Sequence, residues 1–174
     1  MKSLERKIEL GDVKAEIEGI RIKLTGPKGS VERKIMEKSI RISKQGNEII
    51  ITAAKPNRNS KRIMETTKAH IRNMIQGVKE GYEYKLKICS THFPINVSIS
   101  GKEFMIKNFM GEKSPRICKI GNDVNVKLEK DVITLTGIDK EKVGQAAADL
   151  EQTTRISNKD RRIFMDGIYI TAKG

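Results

Sequence analysis

The sequence predicts an α+β protein of two similar domains from internal duplication, each an antiparallel β-sheet covered by one α-helix, with residues 1–81 as the first repeat and 82–174 as the second. Three observations carry this prediction. Apolar residues alternate with polar ones in many short segments, the period of strands buried on one face. In two longer segments they recur at three- and four-residue spacing, the period of an amphipathic helix. The segments run in the same order twice, and Gly111 follows Gly29 by 82 positions (111 − 29) at matching turns.

In the first half, Ile20 to Leu24 alternates as a half-buried strand and runs into Thr25-Gly26-Pro27-Lys28-Gly29-Ser30, whose glycines and proline suit a turn. The chain returns through Val31 to Ile35, making a hairpin, and continues in Ile40-Arg41-Ile42. Gln45-Gly46-Asn47-Glu48 is a turn, and Ile49-Ile50-Ile51-Thr52 a strongly β-branched strand. From Ser60 the apolar stripe Ile63, Thr67, Ile71, Met74, Ile75 and Val78 predicts a helix, capped by Asn59 or Ser60 and ended by Gly77 or Gly81. His70 on this helix has no acid or cysteine at metal-ligand spacing in the sequence and reads as a hydrogen-bonded boundary residue.

The second half repeats the order. Phe93 to Ile99 alternates, Gly101-Lys102 turns, and Phe104-Met105-Ile106 leads into the turn Asn108-Phe109-Met110-Gly111-Glu112-Lys113. Ile117 to Ile120 returns the chain; Val124 to Leu128 and Asp131 to Leu135 follow as strands. Asp139 caps a helix whose apolar face is Val143, Ala146, Ala147 and Leu150. The tail from Gln152 to Gly174 has no counterpart in the first half; Arg155, Lys159, Arg161 and Arg162 crowd one segment before a strand at Ile168-Tyr169-Ile170.

Composition narrows the function. The chain has 174 residues, Lys+Arg 35 against Asp+Glu 22 and a net charge of +13, beyond the magnitude of about 2 to 8 that solubility alone calls for. A polyanion is therefore the expected partner. No stretch approaches the roughly 18 apolar residues of a membrane span, and Met1-Lys2-Ser3-Leu4-Glu5-Arg6 interleaves charges where a signal peptide needs an apolar run, so a soluble intracellular protein without a membrane partner is expected. Cys89 and Cys118 lie far from metal or disulfide spacing and read as small apolar residues in strands. His70 and His92 have no metal-ligand neighbours in sequence, and no nucleophile constellation stands out, so no enzyme activity, small-molecule substrate or cofactor is expected. Gly26-Pro27-Lys28-Gly29 matches the GxxG loop that clamps nucleic-acid backbones in KH domains, but that loop joins two helices, whereas strands flank this one; a hairpin tip carrying Lys28 toward phosphate is the better reading. The segment Gly111-Glu112-Lys113-Ser114 lacks the rest of a P-loop. With aromatic content of 4% and no Trp, phosphate contacts should outweigh base stacking.

Five blocks in order, Thr25 to Gly29, His70 to Val78, His92 to Val97, Asn108 to Lys113 and Asn158 to Tyr169, together resemble the large-subunit ribosomal protein six family, called number nine in eukaryotes. The resemblance covers nearly the whole chain and points to the eukaryotic-archaeal branch, with the His92-Phe93-Pro94-Ile95-Asn96 wording leaning eukaryotic. It implies a structural constituent of the large subunit that binds large-subunit rRNA near the sarcin-ricin loop and the translation-factor site. It further implies that neighbouring large-subunit ribosomal proteins pack beside it and that translation factors dock nearby. It also implies a cytoplasmic location, with nucleolar assembly in a eukaryote. The competing reading is a free-standing RNA-binding or ribosome-assembly module. Carried over residue by residue, the RNA contacts fall on Lys107, Asn108, Gly111, Lys113 and Arg116 and on Arg155, Lys159, Arg161 and Arg162 of the tail, with Lys28 added from the first hairpin. The segment Lys55-Pro56-Asn57-Arg58 lacks the tryptophans of animal members, so no contact is carried over to it.

Overall fold

The structure is a computed structural model that describes residues 4–35, 39–53, 55, 57–160 and 162–174. The chain forms two units, Met1–Gly81 and Tyr82–Gly174. The first contains β1 (Leu4–Glu9), β2 (Lys14–Glu18), β3 (Arg21–Gly26), β4 (Gly29–Lys34), β5 (Ile40–Gln45), β6 (Glu48–Ala53) and α1 (Arg58–Lys79). The second contains β7 (Tyr82–Cys89), β8 (Asn96–Ser100), β9 (Glu103–Lys107), β10 (Arg116–Lys119), β11 (Val124–Glu129), β12 (Val132–Gly137), α2 (Lys140–Thr153) and β13 (Gly167–Lys173).

Each unit is α+β and divides its strands between two antiparallel sheets. The orders β1-β6-β5 and β2-β3-β4 in unit 1 recur as β7-β12-β11 and β8-β9-β10 in unit 2, strand for strand. Unit 2 adds β13 on the free side of β7. In both units the helix covers the sheets and closes the core. Ile22, Leu24, Ile49, Ile51, Met64 and Ile71 are fully buried in unit 1, and Leu86, Phe104, Ile106, Ile133, Ala147 and Leu150 in unit 2.

Local details depart from the sequence reading for physical reasons. Ile20 is not in a strand: Gly19, at φ +61°, turns the chain there, so Ile17 ends up in β2 opposite Ile22, and Ile20 is 51% exposed in the turn. Turn and strand share a parity, which is why the alternation runs through unbroken. Three strands, β1, β2 and β7, carry no strand signal that stands out in the sequence. β1 and β2 bury one side chain each, Ile8 and Ala15, among charged neighbours, while β7 alternates along its whole length at what reads as a domain boundary. The α1 cap is Asn57, whose Oδ1 accepts from the Ser60 amide at 2.7 Å, and Asn59 instead accepts from Arg62. The buried face of α1 is Ser60, Met64, Thr67, Ile71, Met74, Gly77 and Val78, which leaves Ile63 and Ile75 at its margins. Gly81, at φ +78°, follows the helix end. In unit 2 the strand predicted from Phe93 begins at Asn96.

The β3–β4 hairpin has a two-residue tip, Pro27-Lys28, resting on the C-terminal end of α1, where the Lys28 amide donates to the Val78 carbonyl at 3.0 Å. Gly26 makes the approach possible: a Cβ there would stand 2.8 Å from the Val78 carbonyl oxygen and 2.9 Å from its Cγ2. The equivalent β9–β10 connection is longer, residues 108–115, and begins the candidate site.

Candidate nucleic-acid interface

Residues 108–115 are ordered by backbone conformation first. Asn108 (φ 59°), Met110 (φ 52°) and Gly111 (φ 78°) all sit in the left-handed region, which the asparagine and glycine tolerate and the methionine adopts at a cost. Phe109 between them is 1% exposed and anchors the single 3₁₀ turn Phe109–Gly111 in the core, while Asn108 Nδ2 donates to the Pro94 carbonyl at 3.0 Å.

Arg116, at the start of β10, binds this loop to the C-terminal end of α2. Its Nε donates to Glu112 at 2.8 Å and its Nη2 to the other oxygen of the same carboxylate. Its Nη1 donates to the Thr153 carbonyl at 2.7 Å and to the Arg155 carbonyl at 3.3 Å, and the guanidinium carbon lies 4.3 Å from the centre of the Phe109 ring. Hydrogen bonding from Arg116 holds the Glu112 carboxyl below its usual range, against the opposing effect of burial. The fork thus joins the hairpin loop, the C-terminal end of α2 and Arg155, the first cation of the tail. Lys107 and Lys113 are exposed on either side of the turn, and Arg155 is exposed beyond the joint.

The tail is held at both ends. Thr154, 3% exposed, donates to the Glu151 carbonyl and accepts from the Ile168 amide at 2.9 Å, splicing α2 to β13. Asp160 accepts from the Arg162 amide through its side chain and from the Ile163 and Phe164 amides through its carbonyl. Phe164 stacks on His92 with ring centres 4.8 Å apart, and Lys159 Nζ lies 4.5 Å from the centre of the Phe164 ring. Asp166, 1% exposed, accepts from the Thr91 amide at 2.6 Å, the His92 amide at 2.9 Å and His92 Nδ1 at 2.7 Å. Burial pushes its carboxyl up, but the His92 ring and the two amides outweigh that and hold it down at about 2.

Lys159 and Arg162 are therefore exposed on an ordered turn, whereas Arg161 lies outside the described residues. Lys28 is exposed on the unit 1 hairpin. Arg116, Asn108 and Gly111 are spent largely on shaping the loop. The residues that sequence reasoning missed are His92, Glu112, Thr154, Phe164 and Asp166, which organise the cations. His92 and Asp166 are 74 positions apart, and only the pairing of β13 with β7 brings them together. His70 meets Arg33, with Nε2 3.4 Å from an Arg33 nitrogen. Among the described residues no group of three or more His, Cys, Asp or Glu could hold a metal ion. Cys118 is buried in β10, where burial pushes its thiol up, and Cys89 ends β7.

Two copies of one α+β unit in tandem, the second extended by a basic tail locked onto its first strand, define a duplicated protein of strongly cationic character. The chain belongs to the ribosomal protein L6 family, whose profile matches residues 11–81 and again residues 93–167, one match to each unit. It is similar to the large ribosomal subunit protein uL6 of Desulfurococcus amylolyticus, at 45% identity over 172 residues that cover 97% of this chain and 94% of that one. Identity is 47% over 163 residues to uL6 of Staphylothermus marinus, with 91% and 88% covered, and 42% over 162 residues to uL6 of Haloarcula marismortui, with 93% and 91% covered. These archaeal relatives agree with the eukaryotic-archaeal branch expected from the motifs.

Proposed function

We propose that this chain is a structural constituent of the large ribosomal subunit that binds large-subunit rRNA through unit 2, near the sarcin-ricin loop and the site where translation factors dock. The observation that carries the reading is the Arg116 fork, which joins the β9–β10 loop to the start of the tail and so groups exposed Lys107, Lys113 and Arg155 on one ordered framework. Lys159 and Arg162 extend it along the pinned tail. The names of the relatives, all large-subunit proteins, support the same assignment.

In this reading Lys107, Lys113, Arg155, Lys159, Arg161 and Arg162 neutralise phosphates, with Lys28 contributing from unit 1. Asn108, Gly111 and Arg116 set the shape that presents them. Specificity comes from the tertiary shape of the rRNA, since side chains cannot read the deep, narrow major groove of an A-form helix. Neighbouring large-subunit proteins are the remaining partners, the location is the cytoplasmic ribosome, and no catalytic group or cofactor takes part. Sedimentation of the tagged chain through a sucrose gradient tests the proposal. Co-migration with large subunits after a moderate-salt wash is expected, and release into the top fractions would instead identify a free-standing assembly module.

A further inference from the structure

The charge of the molecule is divided unevenly. Residues 1–81 carry 19 Lys and Arg against 10 Asp and Glu, a balance of +9, whereas residues 82–174 carry 16 against 12, a balance of +4. Apart from Lys28, every residue proposed above to face rRNA lies in the less charged unit.

Unit 1 concentrates its surplus on α1. The helix carries Arg58, Lys61, Arg62, Lys68, Arg72 and Lys79 against the single acid Glu65, and its first turn has no acid. Glu65 is committed to Arg6, whose Nε donates to it at 2.7 Å, and that bond leads in holding its carboxyl below the usual range. Helical spacing puts Glu65 with Lys61, Lys68 and Arg72, and puts Arg58, Arg62, Thr66 and His70 on a different line, each one turn from the last. Between that second line and the end of β4 runs a groove of about 390 Å³. Arg33 and Lys34 stand on its β4 side, Arg62 and His70 on its helix side, and Ile63 and the buried Thr67 contribute to its lining. No carboxylate lines it among the described residues. Arg62 gives one nitrogen to Asn59, and neither it nor Lys34 has an acidic partner among the described residues.

We infer that unit 1 binds an RNA sugar–phosphate backbone in this groove, as a second rRNA contact separate from the loop and tail of unit 2. Cations on opposite walls suit a phosphate held between them, because each wall supplies donors that the other cannot reach. Arg58 continues the line beyond the groove at about 6 Å, the rise of four helical residues, a step on the scale of successive phosphates along a strand. A regular polyanion meets such a row of charges better than an acidic protein surface, whose carboxylates follow no fixed spacing.

The inference rests on the rRNA-binding reading of the chain, and the test separates the two. Full-length Lys34→Glu/Arg62→Glu is compared with Arg155→Ala/Arg162→Ala for binding to deproteinised large-subunit rRNA across a salt series, with hydroxyl-radical footprinting. The groove variant should bind at least about tenfold more weakly, flatten the log–log salt slope by about 0.7 to 0.9 for each lost phosphate contact, and lose a footprint that the tail variant keeps. Circular dichroism checks the fold, and Lys34→Gln/Arg62→Gln carries the comparison if charge reversal unfolds unit 1. Parental affinity, slope and footprint in the groove variant, with weakened binding by the tail variant, would overturn the groove and leave the unit 2 site standing. Parental rRNA binding with loss of the groove variant from large subunits would assign the groove to a neighbouring protein and overturn it equally. Failure of the parent chain to bind rRNA would remove both readings.

Discussion

His92 Nδ1 lies 2.7 Å from a carboxylate oxygen of Asp166, and the other oxygen of that buried carboxylate takes the amides of Thr91 and His92. This one contact closes the end of the tail onto the β7–β8 connection and holds Phe164, through its stack on His92, beneath Lys159.

Asp166→Asn should destabilise the protein by about 2–4 kcal/mol, because it places an amide donor against the His92 ring and leaves buried groups imperfectly paired. The pH dependence has a definite sign. The folded carboxyl sits at about 2 against an ordinary 3.8, so the stabilisation, about 2 kcal/mol, is complete above the ordinary value and disappears as pH falls toward and through 2. Urea unfolding at pH 7, 4, 3 and 2 should show the parent losing this increment across the acid range; a variant losing as much over the same range would disprove the assignment.

Arg116→Lys keeps a positive charge but gives up the fork to Glu112 and the paired carbonyls. We expect a stability loss of about 1–3 kcal/mol and faster amide exchange at Gly111 and Glu112. rRNA affinity should fall while the salt slope holds, since a positioning residue releases no counterion. With the charge removed as well, in Arg116→Gln, the slope should still hold; a slope lower by about 0.7 to 0.9 would make Arg116 a phosphate contact itself.

Alanine at both Arg155 and Arg162 should do the reverse. Both side chains are exposed, so melting should move little, while the salt slope should drop by about 1.4 to 1.8 for the pair. An unchanged slope in a filter-binding titration would remove these two from the interface.

Gly26→Ala should cost about 1–3 kcal/mol, because its Cβ would meet the backbone oxygen and side chain of Val78 at 2.8 and 2.9 Å. Thermal melting measures it, and a melt equal to the parent's would mean that the hairpin does not rest on α1 as described.

Asn57→Ala should cost about 1 kcal/mol through loss of the α1 cap, and Asn59→Ala close to nothing, since Asn59 only accepts from an exposed Arg62. Urea midpoints of the two variants in the opposite order would restore the cap to the position first expected.

Much of this architecture is legible in local patterns. The strongly β-branched Ile49-Ile50-Ile51-Thr52 and the Asp139 cap need only near neighbours, and each lies where its pattern points. Ile20 misleads because a turn of the right parity imitates a strand. Asn57 does not stand out from Asn59 and Ser60, because all three positions carry side chains able to cap. The cations of the candidate site are visible in composition, but the groups that shape it are not. Arg116 joins residues 37 and 39 positions distant, and His92 finds Asp166 only across a sheet. Such pairings depend on which strands become neighbours, and a single sequence carries no local mark of that.

The pairing of β13 with β7 also sets an order of events during synthesis. Every strand and the helix of unit 1 are made before Tyr82, so that unit has all its parts while unit 2 is still being translated. Unit 2 has its first strand early but must wait for residues 167–173 to cover the free edge of β7. Until then that edge offers unpaired backbone groups to any passing strand. The charges alternating along β7, Glu83, Lys85 and Lys87, guard a surface that stays open until β13 has been made.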